Sequence, residues 1–336
     1  MHAHPPLCLL EVTTTDEALV GTAVGREDVI PAARALLEAW ILGEDPRSVT
    51  GLWHRLNRGL DTHGAATPAR QAAALLDIAL WDLKAKARNE PLWKTLGGSR
   101  PRVPVHGSAR PSTDSDQSLH DHHAGWARDY GIRAGTLRVG IDRDADLRRI
   151  EFLQRALHPA AHAGPPTLIL DADALWSPKE AIRNARALER AFDIAWVEAP
   201  TNRHDFLGLK RVSSAIRAAV CGGAGLDGFA QFLSHLHHRS LDIIQLDPSR
   251  LGITGALQLA DAAFGLELPV VLCDAPGNLN AQLAGALPNV TSLEVSRPEP
   301  AFGTLVSDVR IEQGWAVAGD RPGHGLHTIH GSGAGV

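Results

Sequence analysis

Residues 167–200 read TLILDADALWSPKEAIRNARALERAFDIAWVEAP and hold one complete unit of the predicted fold. A short apolar run ends at Asp171, and a segment with apolar residues at helical spacing follows it. A second apolar run then ends at Glu198. Two runs of strand length joined by an amphipathic helix predict parallel neighbouring strands. The chain continues this alternation on both sides, and the unit therefore decides the fold class.

Eight apolar runs of strand length follow residue 100, and amphipathic helices separate them. The runs are VPVHGS (103–108), GTLRVG (135–140), TLILDAD (167–173), IAWVEAP (194–200), AAVCGG (218–223), LDIIQLD (241–247), LPVVLCD (268–274) and TSLEVS (291–296). Eight strands with intervening helices predict a parallel β/α barrel of the TIM type. A doubly wound open sheet is the alternative, and the absence of a Gly-rich nucleotide fingerprint from the sequence weighs against it.

The length of 336 residues corresponds to about two domains. Residues 7–24 predict a hairpin, and residues 27–96 predict a series of helices, because apolar residues recur there at helical spacing. We assign residues 1–100 to an α+β capping domain, which residues 300–336 complete with short strands. Residues 101–299 form the predicted barrel domain.

The composition excludes several classes of protein. The formal net charge is −5 and no long run of Lys and Arg occurs, so broad electrostatic attraction to nucleic acid or to an acidic membrane is not expected. The three cysteines are too few for a disulfide framework. The sequence shows neither an apolar run of about 18 residues nor a secretory leader pattern, and we expect a cytoplasmic protein.

Acidic residues stand at the carboxyl ends of several predicted strands, where a β/α barrel has its active site. They are Asp171, Asp173, Glu198, Asp247, Asp274 and Glu294, and the same ends carry Thr136, Arg138 and Cys273. Clustered carboxylates must either raise their pKa values or bind a cation, and oxygen ligands favour Mg²⁺. Such an ion can hold a substrate carboxylate and stabilise an enediolate, while a base removes the α-proton.

Five segments match one family in order and spacing along nearly the whole chain. They are QAAALLDIALWDLKAKARNEPLWKTLGG (71–98), LILDADALWS (168–177), WVEAP (196–200), LDIIQLDPSRLGITGALQLA (241–260) and RPGHGL (321–326). The first resembles a helical signature, the next two resemble metal-binding motifs, and the last two resemble a sixth strand with its helix and a closing segment. The family they resemble is the mandelate racemase/muconate lactonizing enzyme branch of the enolase superfamily.

The resemblance implies an α+β capping domain on a modified (β/α)₇β barrel, with Mg²⁺ held by three acids on strands three to five. Asp171 and Glu198 match the first two ligands, and Asp173 or Asp247 is placed to assist them. Asp247 also matches an acid that pairs with a catalytic histidine on strand seven, and Glu294 matches an acid that hydrogen-bonds the substrate carboxylate. The implied chemistry is proton abstraction beside a carboxylate, and we expect a homo-oligomer.

The sequence departs from the family pattern at four places. Gly223 replaces the third metal ligand, Thr136-Leu137-Arg138 replaces the Lys-x-Lys motif of strand two, and Cys273 replaces the strand-seven histidine. Arginine stays protonated at ordinary pH and is a poor base, so both usual bases are missing. The chain also begins near the first shared strand, so we expect an N-terminally shortened capping domain whose lid is open, altered or borrowed from a neighbouring subunit.

Two residues of the predicted mouth, Arg138 and Cys273, admit two interpretations each. Arg138 either clamps an anionic ligand or neutralises Asp171, and the ion pair is the favoured interpretation. Cys273 is either an acid/base group or an inert small residue, and a nearby carboxylate works against a thiolate. His106 on strand one is predicted to point into the barrel mouth and to bind substrate.

The remaining histidines cluster in two places. Residues 111–127 are polar and are predicted to form a loop at the barrel mouth, where His120, His122 and His123 are a reservoir for a relocated base. His235, His237 and His238 are predicted to lie on a solvated face of an outer helix. Asp77, Trp81 and Asp82 belong to the helical signature, and we expect them to pack the capping domain on the barrel.

Three hypotheses on function follow. The first is a divergent enzyme that abstracts the α-proton of a small carboxylate, an acid sugar or hydroxy acid, and so dehydrates or epimerises it with Mg²⁺. Its predicted groups are Asp171, Glu198 and Asp173 for the metal, Asp247, Cys273, Arg138 and Glu294 for catalysis, and Thr136, Arg138, His106 and Asp274 for the substrate. The second is a catalytically silent ligand-binding or scaffold protein. The third is a metal-independent lyase or isomerase that uses the same pocket.

Overall fold

A computed structural model describes residues 6–15, 18–62, 67–110, 115–158 and 164–328. Its N-terminal part begins with two antiparallel strands, β1 (Leu7–Thr13) and β2 (Val20–Arg26), which confirm the predicted hairpin. Four helices follow. They are α1 (Ile30–Trp40), α2 (Val49–Thr62), α3 (Thr67–Ala87) and α4 (Leu92–Thr95), preceded by a short 3₁₀ turn at Glu27–Val29.

Eight parallel strands close into a barrel within the described residues, because each pairs with the next and the last pairs with the first. The strands are β3 (Arg102–Arg110), β4 (Ala134–Arg138), β5 (Thr167–Asp171), β6 (Ile194–Glu198), β7 (Ala219–Gly222), β8 (Ile243–Leu246), β9 (Val270–Leu272) and β10 (Val290–Val295). The barrel predicted from the alternation of strands and helices is confirmed.

A helix follows each of the first seven barrel strands in the described chain. These helices are α5 (Asp116–Tyr130), α6 (Arg143–Leu157), α7 (Pro178–Leu188), α8 (Phe206–Ser213), α9 (Phe229–His238), α10 (Pro248–Gly265) and α11 (Asn280–Ala284).

Helix α7 shows how the sequence determines where a helix begins. Ser177 and Glu180 form a reciprocal capping box, and Pro178 stands in the first turn, where its missing N–H costs nothing.

The polar loop predicted at residues 111–127 is wrong for the described part of that range. Residues 116–130 form α5, which begins after Ser115, whose side chain accepts a hydrogen bond from the Ser118 N–H, and ends at Gly131 in a left-handed conformation. Only one face of α5 is apolar and buried, so exposed Asp and His residues masked the helical pattern. His123 lies on the buried face, against the outside of the barrel strands and away from the mouth.

Helix α3 packs the N-terminal part against the barrel, as predicted for the helical signature. Asp77 is buried and accepts hydrogen bonds from the N–H (2.9 Å) and Oγ1 (2.6 Å) of Thr254 on α10. The indole N–H of Trp81 donates to the same Oγ1 at 2.9 Å. Asp82 differs from the expectation, because it binds Thr22 on β2 and His324 near the C-terminus rather than the barrel.

The C-terminal segment forms short antiparallel strands. They are β11 (Ala301–Phe302), β12 (Leu305–Val306), β13 (Arg310–Glu312), β14 (Trp315–Val317) and β15 (His327–Thr328). Strand β14 adds to the first barrel strand, and the Leu92 N–H donates to the Gly323 carbonyl at 2.7 Å. The segment thus joins the barrel to the capping helices. No helix in the described ranges is long and apolar enough to cross a bilayer.

The register of the barrel strands places several residues predicted for the active site side by side on neighbouring strands, near the carboxyl ends of those strands. Arg138 is paired with Asp171, Asp171 with Glu198, and Glu198 with Cys221 on successive strands. Alternate residues of a strand share a face, so these side chains point toward the barrel axis at the carboxyl ends of the strands. The fold therefore brings together acids that lie far apart in the sequence.

Candidate active site

A cavity of about 240 Å³ opens at the carboxyl ends of the barrel strands. Its charged lining includes Arg138, Asp171, Asp173, Glu198, Arg203 and Glu294. Five of these six residues were predicted for the mouth from their position at strand ends. The described lining does not include the other predicted candidates, which are His106, Thr136, Asp247, Cys273 and Asp274.

Arg138 forms ion pairs with two acids of strand β5 and the loop after it. Its Nη2 lies 2.8 Å from Asp171 Oδ2, and its Nη1 contacts the carboxylate of Asp173. The Asp173 backbone N–H donates to Asp171 Oδ1 at 2.9 Å. Burial raises the pKa of Asp171, and the guanidinium opposes that shift. The ion pair favoured from the sequence is confirmed.

Glu198 and Glu294 form a pair of carboxyl groups that influence one another. Glu198 is buried, and burial together with the charge of Glu294 raises its pKa to about 8. The indole N–H of Trp196 donates to Glu198 Oε1 at 3.0 Å, and the Ser108 hydroxyl donates to Glu294 Oε1 at 2.5 Å. Burial also raises the pKa of Glu294, whereas the Ser108 hydrogen bond lowers it. Burial and mutual repulsion therefore favour a proton shared within this pair near neutral pH.

His106 lies beneath this pair inside the barrel. Its ring is fully buried, its Nδ1 hydrogen-bonds Ser292 Oγ at 2.7 Å, and its Nε2 stands 4.0 Å from Glu198 Oε1. Burial lowers the pKa of His106 to about 3, so the ring is neutral at physiological pH. The structure places His106 in the barrel interior, facing Glu198 from below, rather than in the described lining of the mouth where the sequence predicted it.

Gly223 marks the position where the resemblance implies a third acid. Its φ is +128°, a conformation that L side chains rarely adopt. A Cβ atom there would meet the carbonyl oxygen of Gln245 and would lie 2.9 Å from Cε1 of Phe232. The backbone at the end of β7 therefore leaves no room for a carboxylate side chain.

Gly223→Ala is expected to destabilise the protein by about 1–3 kcal/mol, because the new Cβ is both strained and crowded. The control is Gly222→Ala, whose Cβ would meet only the Leu241 side chain, at 3.1 Å. Urea denaturation of the two variants and the parent measures both changes. A Gly223→Ala protein as stable as the parent would show that the backbone of this loop can relax.

The side chains present do not fit the three-acid magnesium site that the family pattern implies. Asp171 is paired with Arg138, Asp173 pairs with the same guanidinium and is largely exposed, and Gly223 offers no ligand. Within the part of the chain that the structure describes, no three His, Cys, Asp or Glu side chains are grouped to hold a metal ion. We therefore derive no chemical step from a bound metal.

Asp247 and Cys273 lie apart from the cavity lining. Asp247 caps helix α10, accepting from the N–H (2.9 Å) and the hydroxyl (2.6 Å) of Ser249, and its Oδ2 lies 3.4 Å from Arg250 Nε. Burial, followed by the charge of Asp247, raises the pKa of Cys273 well above its ordinary value. The thiol is therefore protonated at neutral pH, which works against a role as base or nucleophile.

Asp274 and Thr136 also lie outside the described lining. Asp274 accepts hydrogen bonds from the backbone N–H and the hydroxyl of Ser296, and it borders a separate, mainly apolar cavity of about 70 Å³ near β2 and α3. Thr136 is buried one layer below Arg138 on β4, and its hydroxyl has no hydrogen-bond partner among the described residues. Neither side chain faces the cavity that holds the acids.

Several residues of the site were missed by sequence reasoning. They are Ser108, Trp196, Arg203, Gln245 and Ser292. Gln245 was overlooked in favour of Asp247, although the Asp-Pro pair at 247–248 is a recognisable helix start and could have shown that β8 ends earlier.

The prediction that His235 is solvated is wrong. It is 3% exposed, hydrogen-bonds Ser240 Oγ through Nδ1 at 2.8 Å and borders the cavity.

The loops at the mouth hold a strained backbone. Asp173, Ala174 and Ala199 all have positive φ values, between +39° and +58°. The Ala174 N–H donates to the Ala199 carbonyl at 2.8 Å, and the Ala199 N–H donates to the Cys221 carbonyl at 2.9 Å. Such conformations cost about 1–3 kcal/mol each and cluster at functional sites. The geometry after β5 and β6 is thus imposed by contacts between neighbouring strands.

Comparisons with known proteins agree with this architecture. Residues 4–97 match the family model for the mandelate racemase/muconate lactonizing enzyme N-terminal domain, and residues 119–329 match the enolase C-terminal domain-like model. The chain therefore belongs to the mandelate racemase/muconate lactonizing enzyme branch of the enolase superfamily.

Individual relatives have several activities. A 3,6-anhydro-α-L-galactonate cycloisomerase of Streptomyces coelicolor is 30% identical over 300 residues, which cover 86% of this chain and 78% of the relative. An L-talarate/galactarate dehydratase of Salmonella typhimurium is 31% identical over 66% of this chain and 55% of its own length. The solved L-talarate dehydratase of Polaromonas sp. JS666, complexed with Mg and L-glucarate, is 27% identical with a TM-score of 0.82, over 96% of this chain and 90% of its own.

Proposed function

We propose that this chain is an enzyme that removes the α-proton of a small hydroxy acid or acid sugar, leading to dehydration or epimerisation. The observation that carries the proposal is the arrangement of Glu198, Glu294 and Arg138 around one cavity at the mouth of the barrel. The relatives named for dehydration and cycloisomerisation of acid sugars support the same class of substrate. The proposed reaction uses the groups of this chain and no bound metal.

The size and the charge of the cavity support a small polar ligand. Its volume of about 240 Å³ lies below the usual range of about 300–1,000 Å³ for ligand pockets. Arg138 is 34% exposed in its side chain and borders the cavity, so a carboxylate can reach the guanidinium. Acidic and hydroxyl-bearing groups around the cavity suit the hydroxyl groups of such a substrate.

Glu294 and Glu198 have complementary roles in this proposal. Glu294 takes the α-proton, because the Ser108 hydroxyl hydrogen-bonds its carboxylate and stabilises the ionised form. Burial raises the pKa of Glu198 to about 8, so its carboxyl group can donate a proton to a leaving hydroxyl or return one to the α-carbon. Paired groups whose surroundings separate their proton affinities are a common basis for acid and base roles.

Negative charge that develops on the substrate carboxylate needs stabilisation at the same place. The guanidinium of Arg138 lines the cavity and is the donor assigned to this charge, whereas the proton of Glu198 is reserved for the leaving group. Donors that are already oriented by the fold stabilise such charge without reorganisation. Asp171 and Asp173 hold Arg138 in position for this role.

Exchange of the α-proton in D₂O tests the proposal. We expect proton NMR to show loss of the α-proton signal for at least one member of a panel of hydroxy acids and acid sugars, such as lactate, tartrate, gluconate, galactonate and galactarate. The reaction is followed at neutral pH with and without EDTA. Absence of exchange for every member would contradict an enzyme of this class.

A ligand-binding protein without turnover is the second candidate, and one observation favours it. The two positions where the family pattern places bases hold Arg138 and Cys273, and neither can accept a proton at neutral pH. The same panel distinguishes the candidates. Ligands that raise the melting temperature without α-proton exchange would favour binding alone, whereas exchange would exclude it.

A further inference from the structure

We propose that the guanidinium of Arg138 is the resident cation of this site and that it keeps divalent metal ions out. The inference rests on the proposed function only in treating the cavity at the barrel mouth as the active site. It adds that the positive charge facing the ligand belongs to a side chain on β4. The site then differs from the magnesium-bound structures of relatives in the nature of its cation.

Arg138 already occupies the acids at the end of β5 and in the loop after it. Asp171 Oδ2 accepts from Nη2 of Arg138 at 2.8 Å, and Asp171 Oδ1 accepts from the Asp173 N–H at 2.9 Å. Both oxygens of the group that matches the first metal ligand are therefore already engaged. Asp173, which was expected to assist as a ligand, is bound to the other end of the same guanidinium.

The backbone at the end of β7 excludes a further acidic ligand at Gly223. Gly223 has φ +128°, and an added Cβ would meet the carbonyl oxygen of Gln245 and the ring of Phe232. No carboxylate can be supplied from that position without moving β8 or α9. The two missing features, a free acid on β5 and any acid on β7, belong to different strands and are independent of one another.

Charge repulsion also opposes a metal ion beside Arg138. A divalent ion at Asp171 would stand within a few ångströms of a guanidinium that cannot lose its proton. Mg²⁺ also requires near-ideal octahedral coordination and binds weakly to one or two carboxylates. Removing Arg138 would free Asp171 and Asp173 beside Glu198, so its loss should strengthen metal binding even though β7 supplies no acid.

Titration with Mn²⁺, followed by electron paramagnetic resonance, tests this inference on the full metal-stripped chain. For the parent and for Arg138→Lys, which keeps the charge, we expect no site tighter than about 1 mM. For Arg138→Ala and Arg138→Gln we expect Mn²⁺ affinity to rise at least about tenfold, because Asp171 and Asp173 both lose their cation. Adding Asp171→Asn to Arg138→Ala should return the affinity to that of the parent.

The titration can overturn the inference in two ways. Stoichiometric Mn²⁺ binding by the parent that Asp171→Asn abolishes would show that the site takes a metal in spite of Arg138. If Arg138→Ala and Arg138→Gln fold but gain no affinity for Mn²⁺, Arg138 does not exclude the metal ion. Circular dichroism verifies that both variants fold. The experiment measures no turnover, so failure of the exchange assay would contradict the proposed function and leave this inference standing.

Discussion

Glu198→Gln is expected to lower the rate of α-proton exchange or turnover by about 10²- to 10⁴-fold, the usual contribution of a general acid. The amide has nearly the shape of the carboxyl group but cannot supply its proton. The rate of the parent should fall as the pH rises through about 8, because Glu198 then ionises. Steady-state kinetics of both proteins across pH 5–10 measure the two effects.

The stability of the same variant separates a chemical effect from unfolding. Glu198 is 6% exposed and burial disfavours its charge, so a neutral amide should leave the melting temperature unchanged or higher. Glu312→Gln on the exposed part of β13 is the matched control and should retain full activity. A Glu198→Gln enzyme with parental turnover would remove Glu198 from the proposed mechanism.

Asp82→Ala is expected to destabilise the fold by about 3–5 kcal/mol, the range for breaking a buried ion pair by removing one partner. Asp82 is fully buried and accepts from the Thr22 N–H at 2.7 Å and from the His324 N–H at 2.8 Å. Its carboxylate also lies 2.7 Å from Lys86 Nζ. The substitution would leave the N–H groups of Thr22 and His324 without their acceptor, and the Lys86 ammonium group would keep only the Val20 carbonyl.

Urea denaturation of Asp82→Ala, with Asp320→Ala as control, measures this effect. Asp320 lies in the same C-terminal segment, but its side chain is 85% exposed and its ion pair with Lys94 Nζ is long, at 4.0 Å. Its loss should therefore lower the free energy of unfolding by less than about 1 kcal/mol. Equal stability of the two variants would contradict the view that Asp82 joins β2, α3 and the C-terminal segment.

Much of the site could be predicted because its residues follow directly from strand positions. Asp171, Glu198 and Glu294 end or nearly end apolar runs, and parallel strands present their carboxyl ends at one edge. The ion pair of Arg138 was also predictable, since a cation among acids finds a partner. The side-chain period of two then determined which residues face the axis.

Other parts of the site depended on local geometry that the strand pattern does not reveal. The side chain of Asp247 does not line the cavity, because β8 ends at Leu246 and Asp247 caps the first turn of α10. His235 is buried because its side of α9 faces the cavity rather than solvent. Gly223 was recognised as a missing acid, but its positive φ and its crowding became visible only with β8 in place.

The sequence alone determined the order of the barrel strands, the family, and four acids of the barrel mouth, Asp171, Asp173, Glu198 and Glu294, because these depend on residue spacing along the chain. The tertiary structure decided which of those acids are free, which are paired and which hold a proton. Arg138 lies 33 residues from Asp171, and Glu198 responds to burial by the whole barrel and to the charge of Glu294. Desolvation and Coulomb interactions act through space between residues from distant strands, so the chemistry of this site emerges only when the barrel closes.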